Sequence, residues 1–259
     1  MSKKGRHSTR QNWERFWEQK QRVEDVYDNA ERIVHKLKAN VEVSGKKVLE
    51  VGAGTGRDSF MLVKEGALVY VLDYAENSLK IMQQLHQKAA LNVQLLQADA
   101  FKLPIANNSF DVVFHQGLLE HFRNPVPLLE ENFRVLKPGG ILLVDVPQKY
   151  HVYTIIKHIL IGFNRWFAGW ETEFTIKELQ SLVTQVGFEV KSSYGEWMRP
   201  SLFYRIVREL LLKVNVKLPL YPKGLGVFRH WRDVLRKRLL KHRIALYTGL
   251  DIGVIGIKK

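Results

Sequence analysis

Three alternating glycines constrain the fold of this chain more than any other feature. Gly52, Gly54 and Gly56 follow the apolar run 48–51, and a helix-like pattern follows them. Glycine allows φ > 0 and leaves room where a Cβ would collide with a ligand. A strand, a sharp turn and a helix N-terminus in this order predict a ligand-binding loop at the carboxyl end of a parallel sheet.

The spacing of these glycines argues against a dinucleotide ligand. They read G-x-G-x-G, whereas the dinucleotide fingerprint G-x-G-x-x-G requires glycine at position 57, where Arg57 stands. An arginine there would crowd a helix that packs closely over a pyrophosphate. An adenosine that carries a sulfonium amino acid has no phosphate and fits this turn better. Taken alone, the motif is also compatible with a tight turn that binds nothing.

Four more apolar runs follow the loop, separated by helix-like segments. They span residues 69–73, 93–99, 110–114 and 136–144. Strands that alternate with helices predict a parallel, doubly wound sheet. The first two runs end in the carboxylates Asp73 and Asp99. An acid at position 73 can accept two hydrogen bonds from ribose hydroxyls, or it can cap the next helix.

With these motifs in this order, the chain resembles the class I, seven-strand S-adenosylmethionine-dependent methyltransferases. The resemblance covers roughly residues 13–196 and the last strand, 250–258. It implies an α/β fold with a doubly wound, mostly parallel seven-stranded sheet. The seventh strand is expected to be antiparallel and to lie between the fifth and sixth. The resemblance also implies an N-terminal helical lid.

The expected division of the chain is a tail and lid at 1–40, a methyltransferase core at 41–195, a basic helical insertion at 196–246 and the last strand at 247–259. Trp13, Phe16 and Trp17 share one face of a helix, and a second apolar stripe covers 23–37. These stripes predict either a lid or ordinary core packing. Thr175 and Glu178 predict a capping box before the sixth strand, 188–194, whereas the stretch 150–173 has no clear period.

The resemblance implies a set of cofactor-binding residues for S-adenosyl-L-methionine. They are Glu50, Gly52, Ala53, Gly54, Gly56, Asp73, Tyr74, Asp99, Ala100, Phe101 and Gln116. The glycines would let the backbone approach the ligand, and Asp73 would hold the ribose. Glu50 would lie near the methionyl ammonium group, unless it is a structural carboxylate held by local amides.

The remaining residues of this set would surround the base and the methionyl chain. Asp99 would accept a hydrogen bond from the adenine amino group, and the backbone N–H of Ala100 would reach the ring. Phe101 would pack on the purine. Gln116, just past the fourth strand, would line the methionyl portion mainly through its backbone.

His121 is the candidate catalytic residue, because the resemblance places it towards the acceptor and imidazole can take a proton from a hydroxyl. A purely structural histidine is the alternative. Weaker candidates are His115, Tyr150, His151 and Tyr153. The fourth strand is followed by Phe-His-Gln-Gly and not by the Asn-Pro-Pro-aromatic motif of planar-nitrogen methylation. We therefore expect methylation of oxygen or carbon on a small-molecule or lipid-like acceptor.

Composition narrows the partners. The chain has 259 residues, no cysteine and a net charge of +14. The lack of cysteine excludes disulfides, thiolate zinc sites and a cysteine nucleophile, and no H-E-x-x-H motif is present, so we expect no metal. The lack of cysteine also fits a reducing compartment. No run of about 18 apolar residues occurs, so we expect no membrane-spanning helix. We therefore expect a cytoplasmic protein, either free or peripheral at a membrane surface.

The basic insertion leaves the partner open. Thirteen Lys or Arg residues stand against two acids between positions 199 and 243. Apolar residues with helical spacing accompany them, so the segment can lie on an anionic membrane or approach a lipid-linked acceptor. Alternatives are solvated charges on helices that pack on the core, and nucleic acid, which is less favoured. An RNA methyltransferase and a non-catalytic cofactor-binding scaffold remain as competing functions.

Overall fold

The computed structural model describes residues 8–19, 31–197, 200–221, 226–240 and 242–259. The N-terminal tail up to position 7 and most of the predicted second lid stripe (Val23, Val26, Tyr27 and Ala30) lie outside these ranges. So does Arg199 of the basic insertion. No helix in the described ranges combines the length and the apolar character needed to cross a bilayer.

Seven strands form one sheet in the order β3-β2-β1-β4-β5-β7-β6. The strands are β1 Lys47–Val51, β2 Leu68–Asp73, β3 Val93–Gln97, β4 Phe110–Gln116, β5 Leu136–Pro147, β6 Phe188–Glu196 and β7 Asp251–Lys258. All neighbours from β3 to β5 pair in parallel, while β7 is antiparallel to both β5 and β6. The predicted fold class and the position of the last strand are therefore confirmed.

The helices connect these strands and flank both faces of the sheet. The described helices are α1 Arg10–Glu18, α2 Arg32–Lys38, α3 Arg57–Lys64, α4 Glu76–Ala89, α5 Val126–Val135, α6 Val152–Gly162, α7 Ile176–Gln185, α8 Leu202–Leu212, α9 Gly226–Leu240 and α10 Ala245–Thr248. A 3-10 turn, Leu119–His121, follows β4. The predicted capping box of α7 is confirmed: the Thr175 hydroxyl accepts from the Glu178 N–H, and the Glu178 carboxylate accepts from the Thr175 N–H.

Two buried apolar clusters lie on opposite faces of the sheet. In β1, Leu49 and Val51 belong to one cluster, and Val48 between them belongs to the other. This alternation follows from the period of two in a strand. Helices α5 and α7 cover the first face, whereas α2, α3 and α4 cover the second. Both faces of the central strands are therefore buried, as expected for a doubly wound sheet.

One stretch differs from the expectation. Residues 150–173, which show no clear period, contain the helix α6, whose exposed side is apolar. Helix α3 begins at Arg57, directly after Gly56, in agreement with the predicted order of strand, turn and helix. The division of the chain into lid, core and insertion stays a prediction.

The insertion begins and ends at the edge of the sheet where the parallel strands have their carboxyl ends. Because β7 runs antiparallel, its first residue, Asp251, pairs with Pro147 at the end of β5 and with Glu196 at the end of β6. The N–H of Leu250 donates to the carbonyl of Glu196 at 2.8 Å. The segment between these residues therefore starts and finishes at one point of the fold.

Candidate functional site

A cavity of about 870 Å³ opens at the carboxyl ends of β1, β2, β3 and β4. Its volume lies within the usual range for small-molecule sites. Most of the predicted site residues line it, namely Glu50, Gly52, Ala53, Gly54, Asp73, Tyr74, Asp99, Ala100, Phe101, Gln116 and His121. Of the predicted set, only Gly56 does not line this cavity. The topology explains the convergence, since ligands in open α/β sheets bind where neighbouring connections diverge.

The glycine loop has no space for side chains. Gly52, Gly54 and Gly56 all have φ near +60°, a left-handed conformation that L side chains rarely adopt. A Cβ on Gly52 would lie 2.7 Å from Leu118, and one on Gly54 would lie 2.6 Å from Trp17. At Gly56 the collision would be with Met82 of the core, at 2.8 Å. The first two glycines therefore shape the cavity, whereas the third serves the packing of α3 on α4.

The carboxylate of Asp73 is fixed in place from three sides. It accepts hydrogen bonds from the N–H of Gly54 at 3.0 Å, from the N–H of Ala75 at 2.9 Å and from the Ser78 hydroxyl at 3.0 Å. Burial raises the pKa of Asp73, and these donors act in the opposite direction. The N-cap of α4 is Ala75 and no side chain caps this helix, so Asp73 does not have the helix-capping role that the sequence left open. The bond to Ala75 fixes the turn after β2, and the bond to Gly54 joins β2 to the glycine loop. One carboxylate thus supports the loop and faces the cavity.

Buried carboxyl groups gather at the floor of the cavity. Glu50 and Asp58 are both buried, and Ser59 donates to Glu50 at 2.5 Å. Burial raises the pKa of Glu50 well above its usual value, and the charges of Asp58 and Asp73 raise it further. A cation bound here would offset this repulsion, whereas a phosphate would increase it. The floor therefore fits a ligand with an ammonium or sulfonium group and disfavours a pyrophosphate.

The wall on the β3 side is suited to a flat ring. Asp99 accepts from the N–H of Phe101 at 2.9 Å, which fixes the turn after β3. The ring of Phe101 meets the ring of Phe122 edge to face, with centroids 4.6 Å apart. Both rings line the cavity together with Leu118. An apolar slot with a carboxylate at its rim matches the predicted adenine position.

Helix α1 covers the opening of the cavity. Trp13 and Trp17 line it, and Trp17 is buried. The helix is anchored at the start of α4, because the carboxylate of Glu14 accepts from the N–H groups of Glu76 at 2.8 Å and Asn77 at 3.1 Å. These bonds satisfy donors that a helix N-terminus leaves free. Helix α1 thus packs against the cavity, which agrees with either a lid or core packing, and the lid stays a prediction.

His121 lies at the inner end of the cavity, against the lid. Its ring meets the indole of Trp13 edge to face with centroids 4.7 Å apart, and only 8% of the residue is exposed. Among the described residues, its Nδ1 has no hydrogen-bond partner. Burial lowers the pKa of His121, while the negative charge of Glu171 and the carbonyls of Trp170 and Gly117 raise it. Burial is the largest of these influences and the pKa of His121 is lowered, so the imidazole is neutral near pH 7 and can accept a proton.

The weaker candidates lie outside this cavity. His115 is fully buried in β4, Tyr150 is largely exposed, and His151 caps α6 through the N–H of Tyr153. Tyr153 packs edge to face on Trp166, at 6.1 Å between centroids. None of the four lines the cavity. Of the histidines and tyrosines proposed for catalysis, only His121 lines the cavity.

A buried ionic cluster lies behind His121, which sequence reasoning missed. The Nζ of Lys157 on α6 lies 2.7 Å from Glu171 and 3.0 Å from Glu173, and it is fully buried. Trp166 Nε1 donates to the other oxygen of Glu171 at 2.7 Å. Burial and the charge of Glu171 raise the pKa of the neighbouring Glu120. No local spacing signals this cluster, because its members come together only when α6 folds back.

A second buried network joins α2 to the ends of β5 and β7. Arg32 donates to Asp145 at 2.7 Å and to Asp251 at 2.8 Å, while the Tyr194 hydroxyl donates to Asp145 at 2.8 Å. Burial alone would lower the pKa of Arg32, but the two carboxylates raise it. In the described part of the chain, no group of three or more His, Asp or Glu residues is arranged to hold a metal ion.

Comparison with known proteins agrees with this geometry. The methyltransferase domain family matches residues 49–144, which run from β1 into β5. A ubiquinone biosynthesis O-methyltransferase of Pseudomonas fluorescens (strain Pf0-1) is 34% identical over 193 residues, covering 72% of this chain and 83% of the relative. The shared region therefore includes the glycine loop and most of the sheet.

Solved structures share the fold. A methyltransferase from Thermotoga maritima, described as a "possible histamine N-methyltransferase", superimposes with a TM-score of 0.64 and 20% identity over 96% of this chain and 99% of that one. A phosphoethanolamine N-methyltransferase of Haemonchus contortus, solved with S-adenosylhomocysteine, gives a TM-score of 0.61 and 18% identity over 89% and 52%. At these identities, the likeness concerns the architecture alone.

Proposed function

The chain belongs to the S-adenosylmethionine-dependent methyltransferases, and we propose that its cavity binds S-adenosyl-L-methionine and methylates a hydroxyl oxygen of a small, lipid-like acceptor. When bound, this cofactor supplies an electrophilic methyl group on a sulfonium. The protein then needs chiefly to align the acceptor, which is catalysis by proximity and orientation.

The buried acids at the floor carry the cofactor assignment. Glu50 and Asp58 are both buried at the floor, where burial and mutual repulsion disfavour their ionised carboxylates. A bound ammonium group would stabilise the ionised carboxylates and would be stabilised by them in turn. Asp73 is held by Gly54, Ala75 and Ser78 with its carboxylate at the cavity wall, the position suited to ribose hydroxyls. A nicotinamide dinucleotide would bring two phosphates to this acidic floor.

The neutral imidazole of His121 supports an oxygen acceptor. A phenolic hydroxyl bound beside His121 could pass its proton to a ring nitrogen of that residue. Bound S-adenosyl-L-methionine would supply the methyl group to the oxygen and would leave as the thioether, S-adenosylhomocysteine, with the electrons of the broken S–CH3 bond on sulfur. The surrounding surfaces are aromatic or apolar, including Trp13, Leu118 and Phe122. Such walls favour a ring and an aliphatic chain over a charged acceptor. The relative from Pseudomonas fluorescens is also named as an O-methyltransferase.

Methyl-labelled cofactor tests this function directly. The full chain would be incubated with labelled S-adenosyl-L-methionine and, in separate reactions, a prenylated catechol, a primary amine of similar size and total RNA. We expect label in the catechol, as an ether stable to mild acid. Label confined to the amine would contradict the oxygen assignment, and label in RNA would favour the nucleic-acid alternative.

A further inference from the structure

Helix α8 carries a row of apolar side chains that the described part of the chain leaves exposed. Phe203, Ile206 and Leu210 recur at i, i+3 and i+7, so they share one face. Phe203 is 77% exposed and Leu210 is 57% exposed. None of the residues of α8 is buried. Just beyond the helix, Val214 and Val216 extend the exposed apolar surface.

Helix α7 shows what the same spacing does when a partner is present. Ile176, Leu179 and Val183 also recur at i, i+3 and i+7, and all three are buried against the sheet. The amphipathic pattern of α8 is therefore of the kind that elsewhere in this chain ends in a packed interface. On α8, no surface of the described residues packs against this apolar face.

The charge around α8 indicates which kind of partner covers its apolar face. Within residues 199–243, thirteen Lys or Arg residues stand against two acids, which accounts for most of the net charge of +14. Lys213 and Lys217 flank the exposed Val214 and Val216 and are themselves exposed. Apolar side chains bordered by cations match the boundary between acyl chains and anionic headgroups. We propose that α8 and the segment to Lys217, the α8 surface, dock the protein on an anionic lipid membrane.

The position of the α8 surface fits this role. Its segment leaves the sheet after Glu196 and returns at Leu250, at the edge where the cavity opens. The charge of Arg205 on α8 reaches Tyr153 on α6. Helix α6 adds further exposed apolar residues, Ile155 and Ile159. If the proposed function holds, docking would bring a lipid-like acceptor close to the cavity.

Two other occupants fit the surface less well. A second copy of this chain would bring a second strongly basic segment against the first, and the like charges would repel. Nucleic acid would satisfy the cations, but only Phe203 of this row has a ring that could stack on a base, whereas Ile206, Leu210, Val214 and Val216 have none. A lipid surface alone uses both the charges and the aliphatic row.

Vesicle sedimentation of the full chain, without cofactor or acceptor, tests the proposal independently of catalysis. Sucrose-loaded vesicles of phosphatidylcholine with 30% phosphatidylglycerol, a composition of about one anionic lipid in three, would be compared with pure phosphatidylcholine. We expect binding to the anionic vesicles that weakens as salt is raised, because salt screens the charges. On the wild-type chain, hydrogen exchange should slow at 202–217 when anionic vesicles are added.

Matched variants distinguish binding through the α8 surface from nonspecific binding to vesicles. Phe203→Ser with Leu210→Ser should weaken vesicle binding at least about tenfold. Lys213→Gln with Lys217→Gln should weaken it about thirtyfold, from about 1 kcal/mol for each cation near the surface. The controls remove one apolar group and two lysines at the opposite edge of the sheet. They are Leu68→Ser, a 53% exposed apolar residue at the start of β2, and Lys64→Gln with Lys88→Gln.

Four results would overturn the proposal. Equal binding to neutral and anionic vesicles would remove the role of charge. Equal losses in the control variants would remove the role of the α8 surface. Unchanged hydrogen exchange at 202–217, or a concentration-dependent dimer that α8 substitutions dissolve, would assign the row to another occupant.

Discussion

The indole ring of Trp17 occupies the space that a side chain at position 54 would need. A Cβ added to Gly54 would lie 2.6 Å from Cζ2 of Trp17. Lid and glycine loop are therefore complementary surfaces, and neither residue can change without consequence for the other.

Gly54→Ala should weaken the binding of S-adenosyl-L-methionine at least about tenfold, because the new methyl displaces Trp17 and the left-handed backbone resists a side chain. Isothermal titration would measure the affinity. Gly139→Ala is the matched control, since Gly139 also has positive φ, at +77°, but nothing lies within 4 Å of its Cβ position. The control should lose stability through strain and keep its affinity. Equal losses of affinity in both variants would refute the contact-based explanation.

Asp73→Ala should weaken cofactor binding at least about tenfold, the size expected for loss of a charge-assisted hydrogen bond. Fluorescence titration would give the affinity. Asp111→Ala provides the control, because Asp111 also accepts a backbone N–H, that of Lys47 at 2.9 Å, but at the start of β4. Unchanged affinity in Asp73→Ala would remove the proposed ribose contact.

His121→Asn should lower kcat by about 10²–10⁴, the usual contribution of general base catalysis, and leave cofactor affinity intact. Because burial lowers the pKa of His121, the acid limb of kcat should lie below pH 6.5 in the wild type. His35→Asn, on the exposed side of α2, should behave as wild type. A variant at position 121 with normal turnover would make this histidine structural.

His115 should make the protein sensitive to acid. Its burial lowers its pKa to about 3, so at mildly acidic pH the unfolded chain binds a proton that the native state does not. The stability therefore falls as pH falls below the unfolded pKa of about 6.5. Between pH 7.5 and 5.5, the wild type should lose about 1.4 kcal/mol more free energy of unfolding than His115→Leu. Urea titrations at both pH values would show parallel losses if the assignment is wrong.

Lys157→Met should destabilise the fold by about 3–5 kcal/mol, since it leaves Glu171 and Glu173 buried without their cation. Lys149→Met removes an ion pair of similar length, 2.9 Å to Glu178, from the surface. That control should cost about 0–1 kcal/mol. Chemical denaturation would compare the two, and similar losses would mean that burial does not set the cost.

The sequence was sufficient where the signal is local. The glycine loop, the acids at the ends of successive strands and the Thr175–Glu178 capping box each depend on residues a few positions apart. The structure has all of them, although Asp99 lies in the turn just after β3 and not in the strand. The Lys157–Glu171 ion pair could not be predicted from the sequence, because it forms only when the loop after α6 folds back against that helix. The sequence also could not distinguish the buried row of α7 from the exposed row of α8, since periodicity records which residues share a face and not what covers that face.

The hydrogen bond between the Leu250 N–H and the Glu196 carbonyl, 2.8 Å long, closes the intervening stretch at its base. The free energy of closing such a loop changes by only about 0.6 kcal/mol when its length doubles. The outer part of the stretch can therefore be shortened or replaced while β6 and β7 stay paired, provided that α10, which packs on β6 and the core, is kept. Chimeras that exchange it between related enzymes would inherit a new docking preference and an unaltered cofactor pocket.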